Sequence, residues 1–117
     1  TVWAYATAGV SAAALFEAAA AAAQAQIAQF NPQELAMTVW AFTKAGVSAP
    51  ALFEAVAKEA WKKVKSFHPQ ELANTVWAYT TAGVAAPALF EAIAVESVRK
   101  MRTFNSQDLA NTVWAYA

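Results

Sequence analysis

The apolar residues between Ala49 and Ser66 follow a helical period but cover about half of the helix circumference. At 100° per residue, this broad face holds Leu52, Phe53, Val56, Ala57, Ala60, Trp61 and Val64. The remaining face carries a column of charged side chains: Glu54, Lys58, Lys62 and Lys65. An amphipathic surface helix usually has a narrower apolar stripe. The pattern therefore predicts a helix, here called helix A, that packs against its own partner and against a further neighbour.

A second helix, helix B, is predicted from His68 to about Ala82. The residues at its start are those typical of a helix N-terminus, with His68 as N-cap, Pro69 in the first turn and Glu71 at the position of a capping box. Gly83 follows where a left-handed C-cap residue is favoured. Helix A begins in a similar way, and we expect Ser48 to cap it. The apolar face of helix B leaves a polar column beside Trp77, formed by Gln70, Asn74 and Thr81.

This helix pair repeats along the whole chain. The motif Thr-Val-Trp-Ala-Tyr begins at Thr1, Thr38, Thr75 and Thr112, which are 37 residues apart, with Phe42 in place of Tyr in the second copy. A fixed period of this length is typical of stacked helical repeats. Short turns make the two helices of a pair antiparallel. We therefore predict an all-α fold, an α-solenoid with a right-handed superhelix, as one array over residues 1–117 with repeat boundaries near 9/10, 46/47 and 83/84.

The repeated large apolar residues are predicted to form the core between neighbouring repeats. They are Trp3, Trp40, Trp77, Trp114, Leu35, Leu72, Leu109, Phe53 and Phe90. Each Trp lies at the edge of an apolar arc, which favours the core, although exposed Trp side chains could stack nucleobases. The first repeat is Ala-rich over 18–23 and has Ala13 where Pro50 and Pro87 stand, so we expect shallower packing there.

Composition excludes several classes of protein. The 117 residues carry no net charge and no cysteine, so neither disulfides nor a Cys-based metal site are possible. No apolar run is long enough to cross a bilayer. The single His68 has no second metal ligand near it, and no nucleophile with its base is recognisable. We expect no enzyme activity, no metal, no cofactor and no small-molecule substrate. Since the chain begins and ends inside repeats and lacks polar end caps, we also expect a fragment without its targeting segment.

The motifs that start helix B carry a family resemblance. Phe-Asn-Pro-Gln-Glu-Leu-Ala at Phe30–Ala36, Phe-His-Pro-Gln-Glu-Leu-Ala at Phe67–Ala73 and the Thr-Val-Trp-Ala-Tyr that follows resemble the octotricopeptide and heptatricopeptide repeats of organellar proteins, often associated with a RAP domain. The third copy departs, with Ser106 in place of proline. The resemblance implies a helical stack that binds single-stranded RNA in a chloroplast or mitochondrion and supports transcript maturation, stability or translation.

Two sets of polar residues are candidates for contact with RNA or another partner. Basic residues near the end of helix A recur at equivalent positions and could follow a phosphate backbone. This basic stripe consists of Lys58, Lys62, Lys65, Arg99, Lys100 and Arg102. Such cations could also serve only to complement the helix dipole. The amides on helix B, which are Gln70, Asn74, Gln107 and Asn111, could hydrogen-bond base edges, or simply face solvent.

Two functions remain open from the sequence. The first is modular binding of single-stranded RNA in an organelle. The second is a non-catalytic scaffold subunit that contacts other proteins in a large organellar assembly, which the neutral charge and the Ala-rich surface favour. The pattern leaves undecided which helix lines the concave surface. A continuous positive stripe along that surface would favour RNA, whereas a mixed or apolar surface would favour protein.

Overall fold

The computed structural model describes residues 2–117, with side chains described from Ala12 onward. It contains six α-helices: α1 (Val2–Gln26), α2 (Pro32–Ala45), α3 (Pro50–Lys63), α4 (Pro69–Ala82), α5 (Pro87–Arg99) and α6 (Ser106–Tyr116). Short 3₁₀ turns follow each helix A, at Ile27–Gln29, Val64–Ser66 and Met101–Thr103. Helix α1 runs without a break through the predicted repeat boundary near 9/10. The predicted core role of Trp3 lies outside the residues whose side chains are described.

The prediction of an all-α fold is confirmed. Within residues 2–117 there is no β-strand, and the six helices pack in two rows, with the three A helices side by side and the three B helices side by side. In each pair, helix A is α1, α3 or α5, and helix B is α2, α4 or α6. The predicted span of helix A, Ala49 to Ser66, corresponds to α3 and the 3₁₀ turn that follows it. This arrangement is that of a helical-repeat stack.

The first turns of α2 and α4 are stabilised by the predicted capping interactions. At Asn31 the capping box is complete: the Glu34 backbone N–H donates to Asn31 Oδ1 at 2.8 Å, and the Asn31 N–H donates to Glu34 Oε1 at 2.9 Å. His68 occupies the same position, and its backbone N–H donates to Glu71 Oε1 at 2.9 Å. Each bond satisfies an amide that the first helical turn leaves free.

Helices α2 and α4 each end at a glycine in the left-handed backbone conformation. Gly46 has φ 70° and Gly83 has φ 71°. In each case the residue after the glycine donates its N–H to the carbonyl five residues earlier, which is the bond of a Schellman motif: Val47 to Phe42 and Val84 to Tyr79, both at 3.0 Å. The left-handed conformation is costly for residues with a Cβ. These two glycines therefore set the sharp reversal into the next helix A.

The prediction that Ser48 caps helix A is wrong. The N-cap of α3 is Ala49 and the N-cap of α5 is Ala86, and neither side chain can form a capping hydrogen bond. Pro50 and Pro87 occupy the first helical position, where one fewer amide needs a partner. Helix A therefore starts without a capping side chain, and the burial of Leu52 and Phe53 in the next turn stabilises it.

The core runs continuously through the stack between the helix pairs. Its fully buried large residues include Leu35, Leu52, Phe53, Phe67, Leu72, Val76, Tyr79 and Ile93. Of the residues predicted for this core, Leu35, Leu72 and Phe53 are buried, whereas Phe90 and Leu109 are half-buried against it. Trp40 and Trp77 are also half-buried, and Trp114 is 54% exposed. These three tryptophans thus lie at the rim of the core and not within it.

The three B helices lie closer together than the three A helices. Small side chains allow this approach, because Ala36, Ala73 and Ala78 are buried between neighbouring B helices. Hydroxyl groups join them: Thr43 Oγ1 donates to the Ala78 carbonyl at 3.2 Å, and Thr80 Oγ1 donates to the Ala115 carbonyl at 3.3 Å. The B helices therefore form the more tightly packed row of the stack.

Candidate functional site

The exposed side of the B helices repeats a glutamine and a tryptophan at equivalent positions, with an asparagine between them in α4 and α6. Positions 33, 37, 40 and 44 of α2 fall within about 60° of one another on the helix at 100° per residue. The equivalent positions of α4 and α6 lie beside them, because the B helices are parallel and closely packed. We call this surface the B face, and it consists of Gln33, Gln70, Gln107, Met37, Asn74, Asn111, Trp40, Trp77, Trp114, Lys44 and Thr81.

The amides of the B face are accessible. Gln33, Gln70 and Gln107 are all exposed, and Asn74 and Asn111 are half-buried. None of these side chains forms a hydrogen bond to another part of the described chain. A side-chain amide offers both donors and an acceptor in one plane, which suits the hydrogen-bonding edge of a nucleobase.

Lys44 lies between two of the tryptophans. Its Nζ is 5.7 Å from the ring centroid of Trp40 and 5.8 Å from that of Trp77. Both distances fall within the range of a cation–π contact, which contributes about 0.5–1 kcal/mol at an exposed site. The contact holds a positive charge against two aromatic faces at the repeat junction. In the sequence, Lys44 is an irregular position of the repeat, because Thr7 and Thr81 stand at the equivalent places.

The basic stripe lies along the ends of the A helices and the turns that follow them, away from the B face, and most of its charges are paired. Lys58 Nζ is 3.5 Å from Glu54, and Lys62 Nζ is 4.0 Å from Glu59. Arg99 Nη1 donates to both carboxylate oxygens of Glu96, at 2.9 and 3.0 Å. Among the described residues, only Lys65 and Arg102 of the stripe lack an ion pair. The stripe is therefore a surface of mixed charge.

Lys100, a predicted contact residue, is engaged inside the protein. Its Nζ donates to the carbonyls of Lys65 at 2.9 Å and Phe67 at 2.5 Å, and lies 3.4 Å from the buried carboxylate of Glu96. The same contacts recur one repeat earlier, where Lys63 Nζ donates to Ala28 and Phe30 carbonyls at 2.9 and 2.6 Å and pairs with Glu59 at 3.1 Å. We call each of these a lysine bridge. Each bridge joins a helix A to the turn of the preceding repeat.

A tyrosine joins the two helices within a repeat. Tyr79 Oη donates to the Phe53 carbonyl at 2.5 Å, and Tyr116 Oη donates to the Phe90 carbonyl at 2.6 Å. Burial raises the pKa of both tyrosines. Phe42 stands at the same position in the first of these B helices and packs edge-on against Phe16, with ring centroids 4.9 Å apart. Together with the lysine bridges, these contacts fix the geometry on which the B face depends.

The chain matches, over residues 1–117, the protein family described as RESC6, RNA-editing substrate-binding complex 6 protein. The chain belongs to the RESC6 family. No curated protein and no solved structure matches it. In this RESC6-family chain, the described residues contain no cluster of three or more potential metal ligands. None of the helices within the described part is both long and apolar enough to cross a membrane.

Proposed function

We propose that this RESC6-family chain is a non-catalytic module that binds single-stranded RNA along its B face. The observation that carries the proposal is the alignment of an exposed glutamine, an accessible amide and a tryptophan on successive B helices. The family description, which names an RNA-editing substrate-binding complex, supports RNA as the ligand. A mitochondrial location, consistent with RNA editing in an organelle, is part of the same proposal.

The chemistry of the B face suits unpaired bases. A tryptophan face stacks a base for about 1–3 kcal/mol without selecting its identity. Neighbouring amides such as Gln70 and Asn74 then hydrogen-bond the base edge. Single-stranded RNA exposes both features, whereas a duplex hides them. The repeats are proposed to be of the heptatricopeptide type, each of which engages one nucleotide, so three repeats bind weakly alone.

The charges of the B face set a second expectation. Lys44 is the only cation of this face, so about one phosphate is neutralised there. For a single strand, the slope of log affinity against log salt is then about −0.7. Binding along the basic stripe, with Lys62, Lys65, Arg99 and Arg102 in contact with phosphates, would give about −3. The salt dependence thus distinguishes the two surfaces.

The proposal is tested by fluorescence anisotropy with a labelled single-stranded RNA. A variant that replaces Gln70, Asn74, Gln107 and Asn111 with alanine removes the amides of two repeats. We expect its affinity to fall at least about tenfold, since each lost hydrogen bond contributes about 1 kcal/mol. The matched control replaces the exposed cations Lys58, Lys62, Lys65 and Arg102 with alanine, and we expect less than about a threefold change. A strong loss in the control with none in the amide variant would refute the proposal.

A second function, as a protein-binding scaffold, is favoured by the opposite side of the stack. A groove of about 740 Å³ lies between α3 and α5 and is lined by Phe53, Ala57, Trp61, Pro87 and Leu89. Trp61 is 55% exposed at its edge, beside the charges of Glu54 and Lys58. An apolar groove with an exposed Trp and a mixed-charge rim is typical of a protein contact. Replacing Trp61 with alanine should then weaken a partner subunit's binding and leave RNA affinity unchanged.

A further inference from the structure

The C-terminal end of the stack exposes residues that are buried in the preceding repeat. Val113 is 66% exposed, whereas Val76, the equivalent residue of α4, is completely buried. Tyr116 is 40% exposed, and its equivalent Tyr79 is again completely buried. The α4 residues are buried because α5 and α6 pack on them. The greater exposure of Val113 and Tyr116 therefore shows the surface of α6 that a further helix pair would bury. The apolar face of α6 therefore continues an interface that already exists twice in this molecule.

A polar feature at the same end indicates what covers it. Lys63 donates to the carbonyls of Ala28 and Phe30, and Lys100 donates to those of Lys65 and Phe67. The next carbonyls in this series belong to Arg102 and Phe104, again 37 residues on. Among the described residues, no lysine donates to them. The end of the stack thus offers two acceptors in the arrangement that binds an ammonium group elsewhere in the chain.

We infer that this end is a docking face for a further helix pair of the same pattern, whose helix A carries Glu and Lys four residues apart. The lysine donates to the Arg102 and Phe104 carbonyls, and its helix B packs on Val113 and Tyr116. The spacing follows from Glu59 with Lys63 and from Glu96 with Lys100, where the carboxylate is buried and paired with the ammonium.

A second copy of this chain fits the face less well. The helix pair that it could present is its first one, which has Ala22 and Gln26 where the other repeats have glutamate and lysine. That pair brings no ammonium to the two carbonyls and no carboxylate to hold it. The chemistry therefore selects a repeat of the Glu–Lys type over the chain's own first repeat.

The inference is tested by appending a copy of residues 81–117 directly after Ala117, which keeps the 37-residue register. Hydrogen exchange of the α6 amides should slow at least about tenfold, because their local opening now requires separation of the new interface. Lys100→Met within the appended copy should remove most of this protection. Arg102→Met within the copy, at an exposed cation without a bridge, should keep it.

Two results would overturn the inference. The first is unchanged α6 exchange in the extended chain, or protection that survives Lys100→Met as fully as Arg102→Met, because either would show that the lysine bridge does not form. The second is self-association of the original chain in sedimentation experiments together with concentration-dependent burial of Tyr116. That result would assign the face to a second copy. Neither result bears on RNA binding at the B face.

Discussion

The ammonium of Lys63 lies 2.6 Å from the carbonyl oxygen of Phe30, across the junction between two repeats. It also donates to Ala28 and pairs with Glu59, whose side chain is nearly buried. Lys63→Met keeps an apolar stem of similar length but removes every one of these contacts. We expect the free energy of unfolding in urea to fall by about 2 kcal/mol, because a buried carboxylate loses its main partner.

Lys62 provides the matched control for this prediction. Its Nζ lies 4.0 Å from the same Glu59, but its side chain is mostly exposed. Exposed ion pairs contribute little, so Lys62→Met should change the stability by less than about 0.5 kcal/mol. Equal effects of the two substitutions would contradict the assignment of Lys63 as a bridge between repeats.

Tyr79 provides a second test, within one repeat. Tyr79→Phe removes the hydrogen bond to the Phe53 carbonyl and keeps the ring, as Phe42 does naturally in the first of these B helices. We expect a loss of about 1 kcal/mol in the free energy of unfolding. Tyr116→Phe should cost less, because that side chain is partly exposed. A larger loss at Tyr116 than at Tyr79 would be inconsistent with this view.

The same tyrosine predicts a response to alkaline pH. Burial raises the pKa of Tyr79 above its ordinary value of about 10. The folded protein therefore retains the phenolic proton at a pH where the unfolded chain has lost it. The stabilisation is complete below pH 10 and decreases as the pH rises further. Urea melts of the wild type and Tyr79→Phe between pH 8 and 11 should converge with rising pH, and a constant difference would exclude this linkage.

Ser97 is predicted to be a destabilising residue. Its hydroxyl group is buried in α5 and has no hydrogen-bond partner among the described residues, whereas the equivalent position of α3 is the buried Ala60. Ser97→Ala should raise the free energy of unfolding by about 1 kcal/mol, since an unsatisfied polar group leaves the core. The reverse change, Ala60→Ser, should lower it. A loss of stability on Ser97→Ala in thermal unfolding would contradict this prediction.

Much of the fold followed from local sequence features. The 3.6-residue period, Pro69 with Glu71 at a helix start and Gly83 at a helix end are short-range signals, and each corresponds to an observed element. Ser48 misled because a capping residue needs the right backbone position as well as a hydroxyl group. The chain enters α3 one residue later, at Ala49. Local chemistry therefore predicted where helices end more reliably than which side chain caps them.

The candidate site was less predictable because it depends on contacts between repeats. The helical period alone predicts that Gln70 and Asn74 lie beside Trp77, because all three residues belong to one helix. The pairing of Lys100 with carbonyls 33 and 35 residues earlier depends on how helix pairs stack, which no periodicity reveals. The same holds for Lys44, whose place between Trp40 and Trp77 requires the close approach of α2 and α4.

The indole N–H signals of the tryptophans test the central claim most directly. Trp40, Trp77 and Trp114 lie on the B face, whereas Trp61 lies on the opposite side of the stack in the groove between α3 and α5. In a ¹H–¹⁵N NMR titration with single-stranded RNA, we predict that the first three signals shift together and that the Trp61 signal stays in place. A shift of Trp61 without the others would place the RNA on the A helices and contradict the account.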